Sequence, residues 1–213
     1  MRLTVTTLAT ISILLHNHAF ARPTHGIDEG FYLRLSKRYA LPPSGILVEP
    51  VFDPEIDGLY VNACNFGSGK SYACVERGVY GFFHFNVTGE QESLPSSVAA
   101  LGKLTYHSTA ANKSQAMGLA GHISSDESYA GFGLESVERK IGFRSESKMG
   151  IANFYNDTAD PPTRLQKPTF AWNWYVCDAE AEGHVYRALT WVHGNVAPTQ
   201  PSCKGVLVTR IYK

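Results

Sequence analysis

Asp178, Glu180 and Glu182 stand at alternate positions of one short stretch, with His184 close behind, and form the densest acidic cluster of the chain. Two carboxylates flanking a glycosidic bond suffice to hydrolyse it, one as general acid and the other as nucleophile or base, at a separation of roughly 5 to 9.5 Å. The same residues between two aromatic runs also fit a solvated hairpin turn, since connecting segments are normally charged and exposed. The aromatic residues nearby, Trp172, Trp174, Tyr175, Tyr186 and Trp191, would stack on sugar rings if they faced outward. Alternating aromatics more often face inward, where their large apolar area is most favourably buried.

Other constellations fall short of their chemistry. Gly67-Ser68-Gly69-Lys70-Ser71 ends like a phosphate-binding loop, but that pattern needs a glycine where Cys64 stands and a helix where Tyr72-Ala73-Cys74-Val75 looks like a strand. A glycine-rich hairpin is the better account. A copper site of the kind used by polysaccharide oxidases needs histidine as the first mature residue, whereas cleavage after Ala21 would expose Arg22 and leave His25 three residues too late. No G-x-S-x-G occurs for a serine nucleophile, and the cysteine spacings lack the close pairs of a zinc site. No metal and no cofactor is expected.

The compartment follows from the N-terminus. Met1-Arg2, an apolar stretch from Leu3 to Leu15, and Ala19-Phe20-Ala21 ahead of Arg22-Pro23 have the form of a cleavable signal peptide over residues 1–21. A membrane span needs about 20 apolar residues, and this run is interrupted by His16, Asn17 and His18. Without the signal the chain keeps 18 of its 19 Lys and Arg against 19 Asp and Glu. That balance offers no basic patch for nucleic acid or an anionic membrane surface. Residues 22–213 fit one extracellular domain, long enough to bury a core.

Four cysteines, Cys64, Cys74, Cys177 and Cys203, allow three pairings in an oxidising compartment. Sequence order favours Cys64 with Cys74 and Cys177 with Cys203. Three N-x-S/T sequons begin at Asn86, Asn112 and Asn156, and mark candidate glycosylation sites that must lie at the surface.

About ten short runs rich in Val, Tyr, Phe and Trp, separated by Gly, Pro, Asn and Ser, predict an all-β antiparallel sandwich or barrel. At most one short helix is expected, at Leu94 to Leu101. Among the runs are Phe31 to Leu35, Gly45 to Val48, Tyr80 to Val87, Gly131 to Val137 and Thr169 to Asp178. The last would place Phe170, Trp172, Trp174 and Val176 on one face and Asn173 and Tyr175 on the other.

Several segments resemble a family of small secreted proteins of filamentous ascomycete fungi known as a domain of unknown function. They are Phe31-Tyr32-Leu33-Arg34, Leu59-Tyr60-Val61 leading into Gly67-Ser68-Gly69, and Trp174-Tyr175-Val176-Cys177-Asp178 with Pro201-Ser202-Cys203 and Val206-Leu207-Val208. The resemblance implies a secreted β domain with Cys177 and Cys203 paired. It implies no activity, and Cys64 and Cys74 are an addition to the family's usual pattern. The function expected is a non-enzymatic wall-associated or effector-like binding protein, with cell-wall polysaccharide or a host protein as partner. The alternative is a secreted polysaccharide hydrolase using the acidic cluster. N-terminal sequencing of exported protein should begin at Arg22, and retention of Met1 would refute the signal segment.

Overall fold

The computed structural model describes residues 30–37, 54–65, 71–88, 98–109, 112–121, 126–133, 137–144, 147–156, 161, 163–181, 183–193 and 197–212. The signal segment, the run from Gly45 to Val48, the loop from Gly67 to Lys70 and Glu182 lie outside the described residues. The strands are β1 (Phe31–Lys37), β2 (Tyr60–Asn65), β3 (Ser71–Glu76), β4 (Phe83–Val87), β5 (Val98–Ser108), β6 (Lys113–Gly121) and β7 (Glu127–Phe132). They continue with β8 (Val137–Glu138), β9 (Ile141–Arg144), β10 (Met149–Asn156), β11 (Thr163–Ala171), β12 (Trp174–Ala181), β13 (His184–Val192) and β14 (Lys204–Tyr212).

All of these strands pair antiparallel in one sheet that closes on itself. The ring runs β5, β4, β1, β14, β12, β13, β7, β6 and back to β5. The β2–β3 hairpin bridges β1 to β13 and β7, while β9, β10 and β11 extend from β5 as a wing. Period-two alternation then sends one row of each strand inward. Phe31, Leu33 and Leu35 of β1, Phe83 and Phe85 of β4, Trp174 and Val176 of β12, and Val206 and Val208 of β14 meet in the principal core.

Three sequence expectations change. Among the described residues there is no helix; Leu94 to Ser97 lie outside them, and Val98 to Leu101 opens β5. Val98 pairs with Arg144 and Leu101 with Gly142, so ladder bonds and burial against Ala152 outweigh the helical preference of an Ala-rich run. The run from Thr169 to Asp178 is two strands, broken at Trp172 and Asn173, because β11 pairs with β10 whereas β12 pairs with β13 and β14. Phe170 and Trp172 therefore leave the Trp174 and Val176 face. Glu127 to Phe132, not Gly131 to Val137, forms the strand that joins the ring.

The sheet's free edges are blunted. β11 carries Lys167 and Pro168 and faces a bulge in β10 between Asn153 and Tyr155, and β8 at the other end has only two residues. Charge, proline and shortness each discourage pairing with a second chain.

In the wing, Gly142 and Gly150 sit directly opposite each other and the Phe170 ring lies across both. A Cβ on Gly150 would stand 2.4 Å from that ring and 2.5 Å from the Ala171 carbonyl oxygen. Gly150→Ala should therefore cost roughly 1–3 kcal/mol, lowering the melting temperature by about 2–4 °C per kcal/mol. Thermal unfolding followed by circular dichroism checks this, and an unchanged midpoint would contradict the packing.

Candidate functional site

Alternation that buries one row exposes the other. With Phe31 and Leu33 inside, Tyr32 of β1 faces out; with Phe83 and Phe85 inside, His84 of β4 faces out and Phe82 precedes it on the same row. Tyr60 opens β2 opposite Arg34. These rings and Tyr80 form a continuous surface. Tyr60 and Tyr80 centroids are 5.6 Å apart, Tyr80 and Tyr32 4.7 Å, Tyr32 and Phe82 5.5 Å, and Phe82 and His84 5.4 Å. Gly30 makes room for the arrangement: a Cβ there would stand 2.0 Å from the Phe82 ring.

Tyr80 is 53% exposed and Phe82 41%, with Val79 beside them at 43%. The other exposed large apolar residues among the described ones, Val87, Tyr155, Val185 and Tyr212, lie singly on β4, β10, β13 and β14. Isolated exposed apolar residues are ordinary, whereas a contiguous group marks a place of contact. Sequence reasoning missed this group. The signal was present in Phe31-Tyr32-Leu33 and Phe82-Phe83-His84-Phe85, where inward rings at odd positions force outward rings at even ones.

The acidic cluster is positioned differently from the turn expected for it. Asp178 and Glu180 lie on β12, with Arg187 directly opposite Asp178 on β13. Asp178 lines a cleft of about 620 Å³, together with Glu55, Glu76, Arg77, Arg187 and Lys204; Glu180 does not. Lys204 pairs with the Glu55 carboxylate, Arg187 donates to the Glu55 carbonyl at 2.9 Å and Arg77 donates to the Pro54 carbonyl. These contacts fasten the turn at 54–58, whose Ile56 is buried in the core. The cleft thus brings three carboxylates and three cations into one lining, and Lys204, Arg187 and Arg77 each contact the turn.

The proposed aromatic binders also divide. Trp174 is fully buried and donates from Nε1 to the Met149 carbonyl at 3.1 Å, so its ring belongs to the core and reaches no surface ligand. Trp172 is half-buried, with the Arg144 guanidinium 5.1 Å over its ring and Phe170 at its edge. Tyr175 is half-buried on the outward row of β12, opposite Thr190.

Both favoured disulfides are formed, with Cα separations of 5.7 Å for Cys64–Cys74 and 4.1 Å for Cys177–Cys203. The second bridge is reinforced by Glu127, a buried carboxylate that accepts from the Gln200 backbone N–H at 3.1 Å. The Ser202 hydroxyl oxygen also accepts from the Asp178 N–H at 3.0 Å. Both described clusters at metal-ligand distance consist of a bridged cysteine pair and a glutamate, and bridged sulfurs provide no thiolate. Ser128 and His193 share a hydrogen bond of 2.8 Å, but the serine is only 4% exposed, which shields it from attack on a substrate.

Comparison with protein-family models, with curated proteins and with solved structures returned no match.

Of the sequons, Asn86 and Asn112 are exposed, the latter in the turn between β5 and β6 with a φ of 47°. Asn156 closes β10, and its side chain lies outside what the structure describes.

A second group of phenols, Tyr72, Tyr129 and Tyr186, lies across β3, β7 and β13. Burial pushes the Tyr186 phenol well above its ordinary range, and Tyr72 and Tyr129 add to the shift. Tyr129 is raised by burial and then by Glu127 and Tyr72. A phenol raised in the folded state leaves stability intact below the unfolded value, near 10, and removes it as pH climbs towards the folded value. Unfolding midpoints in urea should therefore fall between about pH 9 and pH 11, and fall less in Tyr186→Phe. Equal alkaline losses in the two proteins would contradict the assignment.

Proposed function

We propose that the chain is a non-enzymatic extracellular binding protein that holds polysaccharide against the platform of Tyr32, Tyr60, Tyr80, Phe82 and His84. The observation that carries this reading is the unbroken run of outward-facing rings on β1, β2 and the approach to β4. A pyranose offers an apolar C–H face edged by hydroxyls, and a tyrosine offers an apolar ring with a polar tip. The two disulfides fit an oxidising, extracellular compartment.

Size favours a glycan over a folded host protein. Aromatic side chains present roughly 150–250 Å² each, and here every ring is partly covered by its neighbours, so five of them fall short of the roughly 800 Å² per partner of a stable protein interface. A single polysaccharide strand needs less.

The test uses protein secreted from a bacterial host into an oxidising compartment, which carries no N-glycan. Depletion from solution by insoluble chitin, β-glucan and cellulose gives the retained fraction. Tyr80→Ala and Phe82→Ala should each weaken retention about tenfold, or about 1.4 kcal/mol, while Trp172→Ala leaves it unchanged. Absence of retention on all three, or equal loss in the Trp172 variant, would overturn the proposal.

A further inference from the structure

Asn86 stands on the outward row of β4 that also carries His84 and, just before the strand, Phe82. Successive residues of one row are about 7 Å apart, so His84 is the nearest ring to Asn86 and Phe82 the next. Asn86 is exposed and opens the sequon Asn86-Val87-Thr88. Its amide donates from Nδ2 to Thr105 Oγ1 at 3.3 Å. Thr88 is held extended by its backbone N–H, which donates to the Leu101 carbonyl at 2.9 Å, and its hydroxyl donates to the same oxygen at 3.3 Å.

We propose that Asn86 carries an N-glycan whose first sugars run along β4 onto His84 and Phe82, so that the protein's own glycan covers one end of the aromatic platform. The inference rests on the platform's capacity to accept pyranose rings. Attachment forms one bond, from Asn86 Nδ2 to C1 of an N-acetylhexosamine. The donor is a polyprenyl-diphosphate-linked oligosaccharide of the secretory pathway; its C1–O bond breaks, and the diphosphate departs as the amide gives up one proton. The amide keeps its second hydrogen.

A tethered sugar has a high effective concentration at the neighbouring rings and meets them without the entropy loss of free association. His84 and Phe82, which already pack edge to face, present the first surface it reaches. The far end of the platform, Tyr60 and Tyr80, stays open to an external strand. Glycosylation at this position therefore shortens the platform and tunes its reach.

The experiment uses the full chain with Asn112→Gln and Asn156→Gln, leaving Asn86 as the one sequon. Protein from an N-glycosylating yeast is compared with the identical polypeptide from bacteria, each with Phe82 intact and with Phe82→Ala; His84→Ala repeats the comparison through a second ring. Peptide mass should show Asn86 occupied. The glycan should raise the melting temperature by about 2–4 °C when Phe82 is present and by less than half of that in Phe82→Ala. An empty Asn86, or an equal shift with and without Phe82, would overturn the inference. Retention of the glycan-free protein on polysaccharide is a separate measurement, so failure of the platform towards external ligand and failure of the glycan to pack on it are distinguishable.

Discussion

The ladder between β1 and β14 runs through seven consecutive pairs, from Phe31 with Tyr212 to Lys37 with Val206, and the rest of the ring depends on its register. A slip of one residue would turn Phe31, Leu33 and Leu35 outward and bring Tyr32 and Arg34 into the core. That cost fixes β1, and β1 in turn places Tyr32 where Tyr80 and Phe82 can pack against it. The outward platform is thus the complement of the inward core.

Closure has a second consequence for where function can reside. The interior is filled by Trp174, Phe31, Phe83 and Phe132, and the end near Asp178 is held by the Ile56 turn with its Arg187, Arg77 and Lys204 contacts. The proposed binding surface accordingly lies on an outer face. The Cys177–Cys203 bridge and the Glu127 anchor secure the segment leading into β14, which protects the register on which β1 relies. The structure invests its covalent and buried polar contacts in the strands that flank the ladder.

Much of the architecture was legible in the sequence because it is local. Alternation in Phe31-Tyr32-Leu33-Arg34-Leu35 gives the strand and its two faces, and cysteine order gives both disulfides. What escaped is set by pairing over long distances. Nothing near Trp172 and Asn173 announces that the chain changes partners there, and Val98-Ala99-Ala100-Leu101 is a strand only because β9 lies alongside. The platform was hidden for the same reason: Tyr32, Tyr60 and Tyr80 are far apart in sequence and meet only when β1, β2 and β4 are adjacent. The tryptophans drew attention by type, yet Trp174 is core and Trp172 stacks under Arg144.

Under the proposed function, external sugar meets the Tyr32, Tyr60 and Tyr80 rings and not the Tyr72, Tyr129 and Tyr186 group. Nuclear magnetic resonance of glycan-free protein with isotope-labelled tyrosine, titrated with soluble oligosaccharides of chitin and β-glucan, tests it most directly. The expected result is saturable shifts in the first three ring resonances with the second three unmoved. Shifts confined to Tyr72, Tyr129 and Tyr186, or none with either oligosaccharide, would contradict it.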